Sequence, residues 1–180
     1  MLKGHSRRDW AKLTRWTAAG GAGLFLLIQA IPAPRTNPPV DPRRTIEAHL
    51  EIAAPVKEIL DRSCRDCHSH ATEWPWYSYI APASWLVARD VHKARGIMNF
   101  SEWSEEAGMK LEKAVGLLMA SCAGVQERRM PKPEYVLLHS RAQLSESDIR
   151  KFCAWTQAEG SRLWTMKRKA RVETKLSRQQ

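Results

Sequence analysis

The segment Cys64-Arg65-Asp66-Cys67-His68 constrains this chain more than any other stretch. The order C-x-x-C-H is the pattern to which haem is joined covalently. In that chemistry each thiol adds across one vinyl group of the porphyrin, so the two sulfurs must stand about one helical turn apart. His68 follows directly and falls beneath the iron as its proximal ligand. Two other chemistries use the same residue types. Zinc can draw on Cys64, Cys67, His68 and His70, although a tetrahedron closed by ligands this near in sequence is strained. A disulfide between Cys64 and Cys67 has poor geometry within one turn. Both stand as alternatives to haem.

Six-coordinate iron needs a second axial ligand. The candidates are Met1, Met98, Met109, Met119, Met130 and Met166, with His49, His70, His92 and His139. Met130 is preferred because Pro131, Lys132 and Pro133 follow it, which predicts a stiff, non-helical loop that ends a helix. Such a loop aims a side chain with little entropy left to lose. Met109 and Met119 fall in a helical pattern where methionine ordinarily fills core. His92 and His139 are the alternatives, with His139 also read as a cap or loop contact after Val136-Leu137-Leu138.

The chain ends read differently from its middle. Of 29 Lys and Arg against 19 Asp and Glu in 180 residues, residues 1–35 hold six basic and one acidic, and residues 161–180 hold seven and one. The middle is therefore nearly neutral, which argues against nucleic acid as a partner. Lys3, Arg7, Arg8, Lys12 and Arg15 precede an uncharged run from Trp16 to Ile31, the order of an export signal. Ile28 and Ile31 occupy the positions where cleavage needs small residues, so an uncleaved membrane anchor is expected, with cleavage to a soluble periplasmic form as the alternative. Ser6-Arg7-Arg8-Asp9-Trp10-Ala11-Lys12 also looks like a twin-arginine signal. Pro32, Pro34, Pro38, Pro39 and Pro42 predict an extended spacer. The last residues, from 161, read as a disordered basic tail, with contact to anionic lipid or an acidic partner as the alternative. The expected parts are thus an anchor over 1–31, a linker over 32–44, a domain over 45–160 and a tail over 161–180.

Within the domain the patterning is helical. Pro55 stands in the first turn of a helix carrying Val56, Ile59 and Leu60 toward Cys64; residues 45–54 fit either an extended or a helical segment. Pro82 opens a second helix with Trp85, Ala88 and Val91. A third runs from about Glu105 with Leu111, Ala114, Leu118, Cys122 and Val125 on one stripe. Ser145 and Asp148 form a capping-box pattern before Ile149, Phe152 and Cys153, and Gly160 reads as the stop. The fold class is all-α. Eight Trp against three Phe and three Tyr is an inverted aromatic balance. Trp74, Trp76, Tyr79 and Trp85 can wall a porphyrin or simply pack. Arg128, Arg129 and Lys132 can pair with its propionates or stand solvated, and Cys122 with Cys153 can bridge in an oxidising compartment.

Several separated blocks agree in order with one family. Cys64-Arg65-Asp66-Cys67-His68-Ser69-His70, Trp74-Pro75-Trp76-Tyr77-Ser78-Tyr79-Ile80-Ala81-Pro82 with Ser84-Trp85-Leu86, Asn99-Phe100-Ser101-Glu102-Trp103, and Met130-Pro131 with His139 resemble the bacterial haem-binding domain proteins of the cytochrome c-like group. The resemblance covers about residues 31–158 and includes Arg35-Thr36-Asn37-Pro38-Pro39. It implies a cytochrome c-like helical domain tethered on the periplasmic side of the inner membrane, one covalent haem c, His68 as proximal ligand and Met130 as distal ligand. Arg128-Arg129 departs from the Gly-Glu expected there. The function expected from residues and resemblance together is electron transfer with an unidentified redox protein, rather than enzymatic turnover. A haem-based sensor or peroxidase with an open distal position, and a zinc-binding structural module, are the alternatives.

Overall fold

The computed structural model describes residues 7–178, and among these it is helical without strands, as an all-α class requires. Met1, Lys3 and Ser6 lie outside the described residues. Eight α-helices follow in order, and the described chain divides into two compact units, one of 1–35 with 74–90 and one of 36–73 with 91–180.

In the first unit α1 spans Arg7–Ile28. Its uncharged part, residues 16–28, rises about 20 Å at about 1.5 Å per residue, against a bilayer core of about 30 Å. No helix among the described residues is long and apolar enough to cross a membrane. The expected spanning anchor is corrected on that ground: lysine and arginine occupy the early turns of α1, and the helix ends at Ile28, ahead of prolines that could not continue it. The chain after α1 is extended, but it is held. The Gln29 amide donates to the Ala81 carbonyl at 3.2 Å and accepts from the Ala81 N–H at 2.9 Å. The Ile31 carbonyl accepts the Trp85 indole N–H at 3.0 Å. Arg35 donates to the Ser78 carbonyl at 2.9 Å while its guanidinium lies 4.2 Å over the Tyr79 ring. The start of the proline-rich stretch is therefore bonded along its own unit.

The second unit contains the core. The ambiguous segment 45–54 divides: a single turn, α2 (Ile46–His49), is helical and buries Ile46, while the chain from Leu50 to Ala53 is non-helical, with both of those residues extended. α3 (Ala54–Ser63) begins with Pro55 at its N-terminus and buries Val56, Ile59 and Leu60, as their spacing predicts. The one-turn α4 (Arg65–His68) follows directly. α5 (Ala83–Ile97) begins in the first unit and ends in the second. α6 (Leu111–Gln126) starts later than expected, because Gly108 at φ 82° turns the chain after Glu105. Met109 is thus buried in a turn rather than in a helix, and Met119, on α6, is 38% exposed instead of filling core. α7 is Pro133–Leu138, and α8 is Glu146–Ser177 behind the expected Ser145–Asp148 capping box.

Gly160 does not stop α8. A Cβ there would lie 3.2 Å from the Met119 methyl and 3.7 Å from a Val115 methyl, so the residue lets α6 and α8 pack closely. The basic stretch beyond it is helical through Ser177, not disordered. Lys, Arg, Met, Leu and Glu are good helix formers, and the preceding turns supply the nucleus. Cys122 and Cys153 are joined in a disulfide between the same two helices. Buried Glu159 accepts the Glu51 N–H at 3.1 Å and the Arg162 guanidinium at 2.7 Å, and Trp155 donates to the Glu51 carbonyl at 2.8 Å. These bonds fix the segment before α3 onto α8.

Candidate functional site

The candidate site begins where α3 ends. Cys64 closes that helix with its N–H on the Leu60 carbonyl, and the Cys67 and His68 N–H groups return to the Cys64 carbonyl at 3.3 and 3.0 Å. The two cysteines therefore sit at the start and within the single turn of α4, with His68 as its last residue. Neither belongs to a disulfide. Cys64 packs against the core cluster, and burial, reinforced by the negative charge available at Cys67, pushes its thiol up to about 12. It stays protonated at neutral pH.

His68 is oriented through its other nitrogen. Its Nδ1 lies 2.9 Å from the Met98 carbonyl oxygen. A carbonyl only accepts, so Nδ1 carries the proton and Nε2 keeps its lone pair for a metal. Burial pulls the imidazole below the usual histidine range, against backbone hydrogen bonds from the Met98 and Ala94 positions, which favours the neutral, ligating form. The Met98 position is itself anchored by its N–H to the Ala94 carbonyl at 2.9 Å, and Phe100 N–H bonds the His68 carbonyl at 2.7 Å.

Around α4 stands a polar frame that motif reading missed. Arg95 donates to the Ser69 carbonyl at 2.7 Å, the Thr36 carbonyl at 2.7 Å, Asn37 Oδ1 at 3.0 Å and Thr72 Oγ1 at 2.8 Å. Burial lowers its pKa and the neighbouring Cys67 opposes that shift. Asp66 accepts the Glu73 N–H at 2.9 Å and the Tyr135 phenol at 2.7 Å. A polar side chain between two motif cysteines, and a second arginine in α5, were the only signals available. His70 completes the frame. Asn99 Oδ1 accepts the Ser101 N–H, which turns Asn99 Nδ2 onto His70 Nε2 at 2.8 Å and leaves the proton on His70 Nδ1. That buried Nδ1 has no partner within the polypeptide among the described residues.

Met130 lies in the loop between α6 and α7, as its flanking prolines predict, and is 42% exposed. The Arg129 and Met130 N–H groups both reach the Gly124 carbonyl, at 3.0 and 3.1 Å. Arg129 is paired with Glu127, Arg128 with Glu146, and Lys132 lies 3.7 Å from Glu134, so each basic residue of this loop has an acidic neighbour. His139 caps α7 and its ring stacks on Tyr135 at 4.1 Å, which matches its reading as a cap. Trp74, Trp76, Tyr79 and Trp85 belong to the first unit. There Trp76 is 74% exposed and meets Tyr77 edge-on, while Tyr79 and Trp85 engage Arg35 and Ile31. Cys64, Cys67, His68, Arg129 and Met130 belong to the second.

A family model described as a haem-binding domain matches residues 23–158. The chain belongs to the haem-binding domain family. No curated protein and no solved structure matches it. The span of the haem-binding domain takes in Cys64, Cys67, His68 and Met130 and stops short of the basic end of α8. Family membership supports a haem cofactor, and the residues present fit one. An imidazole whose Nδ1 is committed to a backbone carbonyl, two thiols a helical turn apart and the orphaned buried N–H of His70 are what a porphyrin with carboxylate arms can use. Among the described residues, no group of three or more His, Cys, Asp or Glu is placed to hold a metal ion. Cys64, Cys67, His68 and His70, which the zinc alternative needs, are therefore not brought together as one ligand set.

Proposed function

We propose that this haem-binding domain is a c-type cytochrome of the periplasmic side of the bacterial inner membrane, holding one covalent haem and passing single electrons. The observation that carries the reading is the His68 ring, whose Nδ1–H is committed to the Met98 carbonyl beside two reduced cysteines in C-x-x-C-H spacing. Bound haem supplies the one-electron iron couple. Cys64 and Cys67 would hold it through thioether bonds, and His68 and Met130 would ligate its iron. A thioether favours Fe(II) and raises the potential. Export is supported by the basic-then-apolar N-terminal segment and by the Cys122–Cys153 disulfide, which suits an oxidising compartment. The redox partner is a protein rather than nucleic acid, because the charge of the domain itself is nearly balanced.

A second reading is favoured by the exposure of Met130 on a loop: a displaceable distal ligand opens the iron to a diatomic gas or peroxide. Optical spectra separate the two. Protein matured with periplasmic haem attachment should show the spectrum of two thioether links and a methionine-to-iron band that Met130→Ala abolishes. An unchanged band in that variant refutes Met130 as ligand. Ready carbon monoxide binding by the unsubstituted reduced protein supports the sensor or peroxidase reading instead.

A further inference from the structure

We infer that the hydrogen bond between Asp66 and Tyr135 is a positioning latch that holds the Met130 loop in register with the haem-attachment turn. The inference rests on the reading of Met130 as distal ligand. Asp66 lies inside C-x-x-C, directly before Cys67, and is held on three sides. Its backbone carbonyl accepts the Thr72 hydroxyl at 2.6 Å, Oδ1 accepts the Glu73 N–H at 2.9 Å, and Oδ2 accepts the Tyr135 phenol at 2.7 Å. Tyr135 stands in the first turns of α7, which begins as soon as Met130, Pro131 and Lys132 have passed. Its ring is kept flat by His139, at 4.1 Å and 15° between planes.

The phenol thus joins the proximal motif to the helix that launches the distal loop. On its other side the loop is tied to α6 and to the approach to α8: Arg129 and Met130 N–H groups bond the Gly124 carbonyl, and Arg128 donates to the Leu144 carbonyl at 2.7 Å. Those bonds set the loop against its own helices. The Asp66 bond sets it against the cysteines. A methionine thioether is a weak ligand, so a small loosening of its loop passes directly into the fraction of time it leaves the iron. Neither Asp66 nor Tyr135 touches the iron in this account; both act through the placement of Met130.

The test is an imidazole titration of the ferric holoprotein, following loss of the methionine-to-iron band. Tyr135→Phe removes one oxygen and should let imidazole displace methionine about ten- to a hundredfold more readily, the equilibrium value of a hydrogen bond to a charged acceptor. Asp66→Ala, which also loses the Glu73 N–H bond, should give at least that gain, and adding Tyr135→Phe to it no further gain, because the two residues act on the loop through one bond. A merely structural tyrosine would lower the melting temperature and leave the imidazole dissociation constant unchanged, which overturns the latch. Absence of the band from the unsubstituted holoprotein overturns the Met130 reading and the latch with it. A normal parent band with an unaltered Tyr135→Phe titration overturns the latch alone.

Discussion

Arg62 and Asp148 meet in an ion pair at 2.8 Å, joining the helix that leads into Cys64 to the first turn of α8. Arg62 also donates to the Arg141 and Gln143 carbonyls at 2.8 and 2.9 Å. Asp148 serves the capping box as well, accepting the Ser145 N–H at 2.9 Å. One carboxylate therefore holds a helix start and a tertiary contact together.

Acid should release that contact. Burial by itself pushes the Asp148 carboxyl up, but the Ser145 N–H and hydroxyl and the Arg62 guanidinium outweigh burial and hold it below the ordinary carboxylate value. A lowered folded pKa contributes stability that is fully present above the unfolded value, about 3.9, and is lost as pH falls through the folded one. Asp148→Asn should cost about 1 kcal/mol at neutral pH. Urea unfolding of both proteins should show this gap closing as the pH is taken well below 4. A gap that stays constant would show that charge plays no part.

Arg128 occupies the left-handed region at φ 56° in the turn before Met130. A glycine there would relieve about 1 kcal/mol of backbone strain, which accounts for the glycine that the family resemblance leads one to expect. Here the arginine side chain offsets the strain through the Leu144 carbonyl and Glu146. Arg128→Ala keeps the strain and loses those bonds, so it should cost about 1–2 kcal/mol. Arg128→Gly should be about 1 kcal/mol more stable than Arg128→Ala. Equal stabilities for the two variants, measured by denaturant unfolding, would rule out a strained turn.

The Cys122–Cys153 bridge closes a sequence separation of 31 between α6 and α8. Replacing both residues by serine should lower stability by about 3 kcal/mol. Thiol counting adds a sharper check. The denatured holoprotein should show no reactive thiol before reduction and two after it, because thioethers at Cys64 and Cys67 resist reductant. Four thiols after reduction would mean that the haem motif carries no covalent adduct.

Much of this arrangement was legible from local chemistry. Pro55, the Ser145–Asp148 box, the α6 stripe and the Met130 loop each follow from backbone rules that act over a few residues. Gly160 misled because a glycine that ends a helix and one that admits a neighbouring helix look alike in sequence; only Met119 and Val115 across the gap distinguish them. The Trp16–Ile31 run read as an anchor from hydropathy, but its helical part is too short to span. Arg95, Asp66 and Tyr135 were invisible for another reason. The contacts that give them their roles, Arg95 to Thr36 and Asp66 to Tyr135, join residues 59 and 69 positions apart, and local patterning carries no sign of such pairs.

The most direct test of the account is mass spectrometry of the proteolytic fragment that contains Cys64-Arg65-Asp66-Cys67-His68, taken from protein exported and matured with haem. The fragment should be heavier by one haem, an adduct that survives denaturation and disappears in the Cys64→Ala, Cys67→Ala double variant. A fragment with the bare peptide mass from the unsubstituted protein would contradict it.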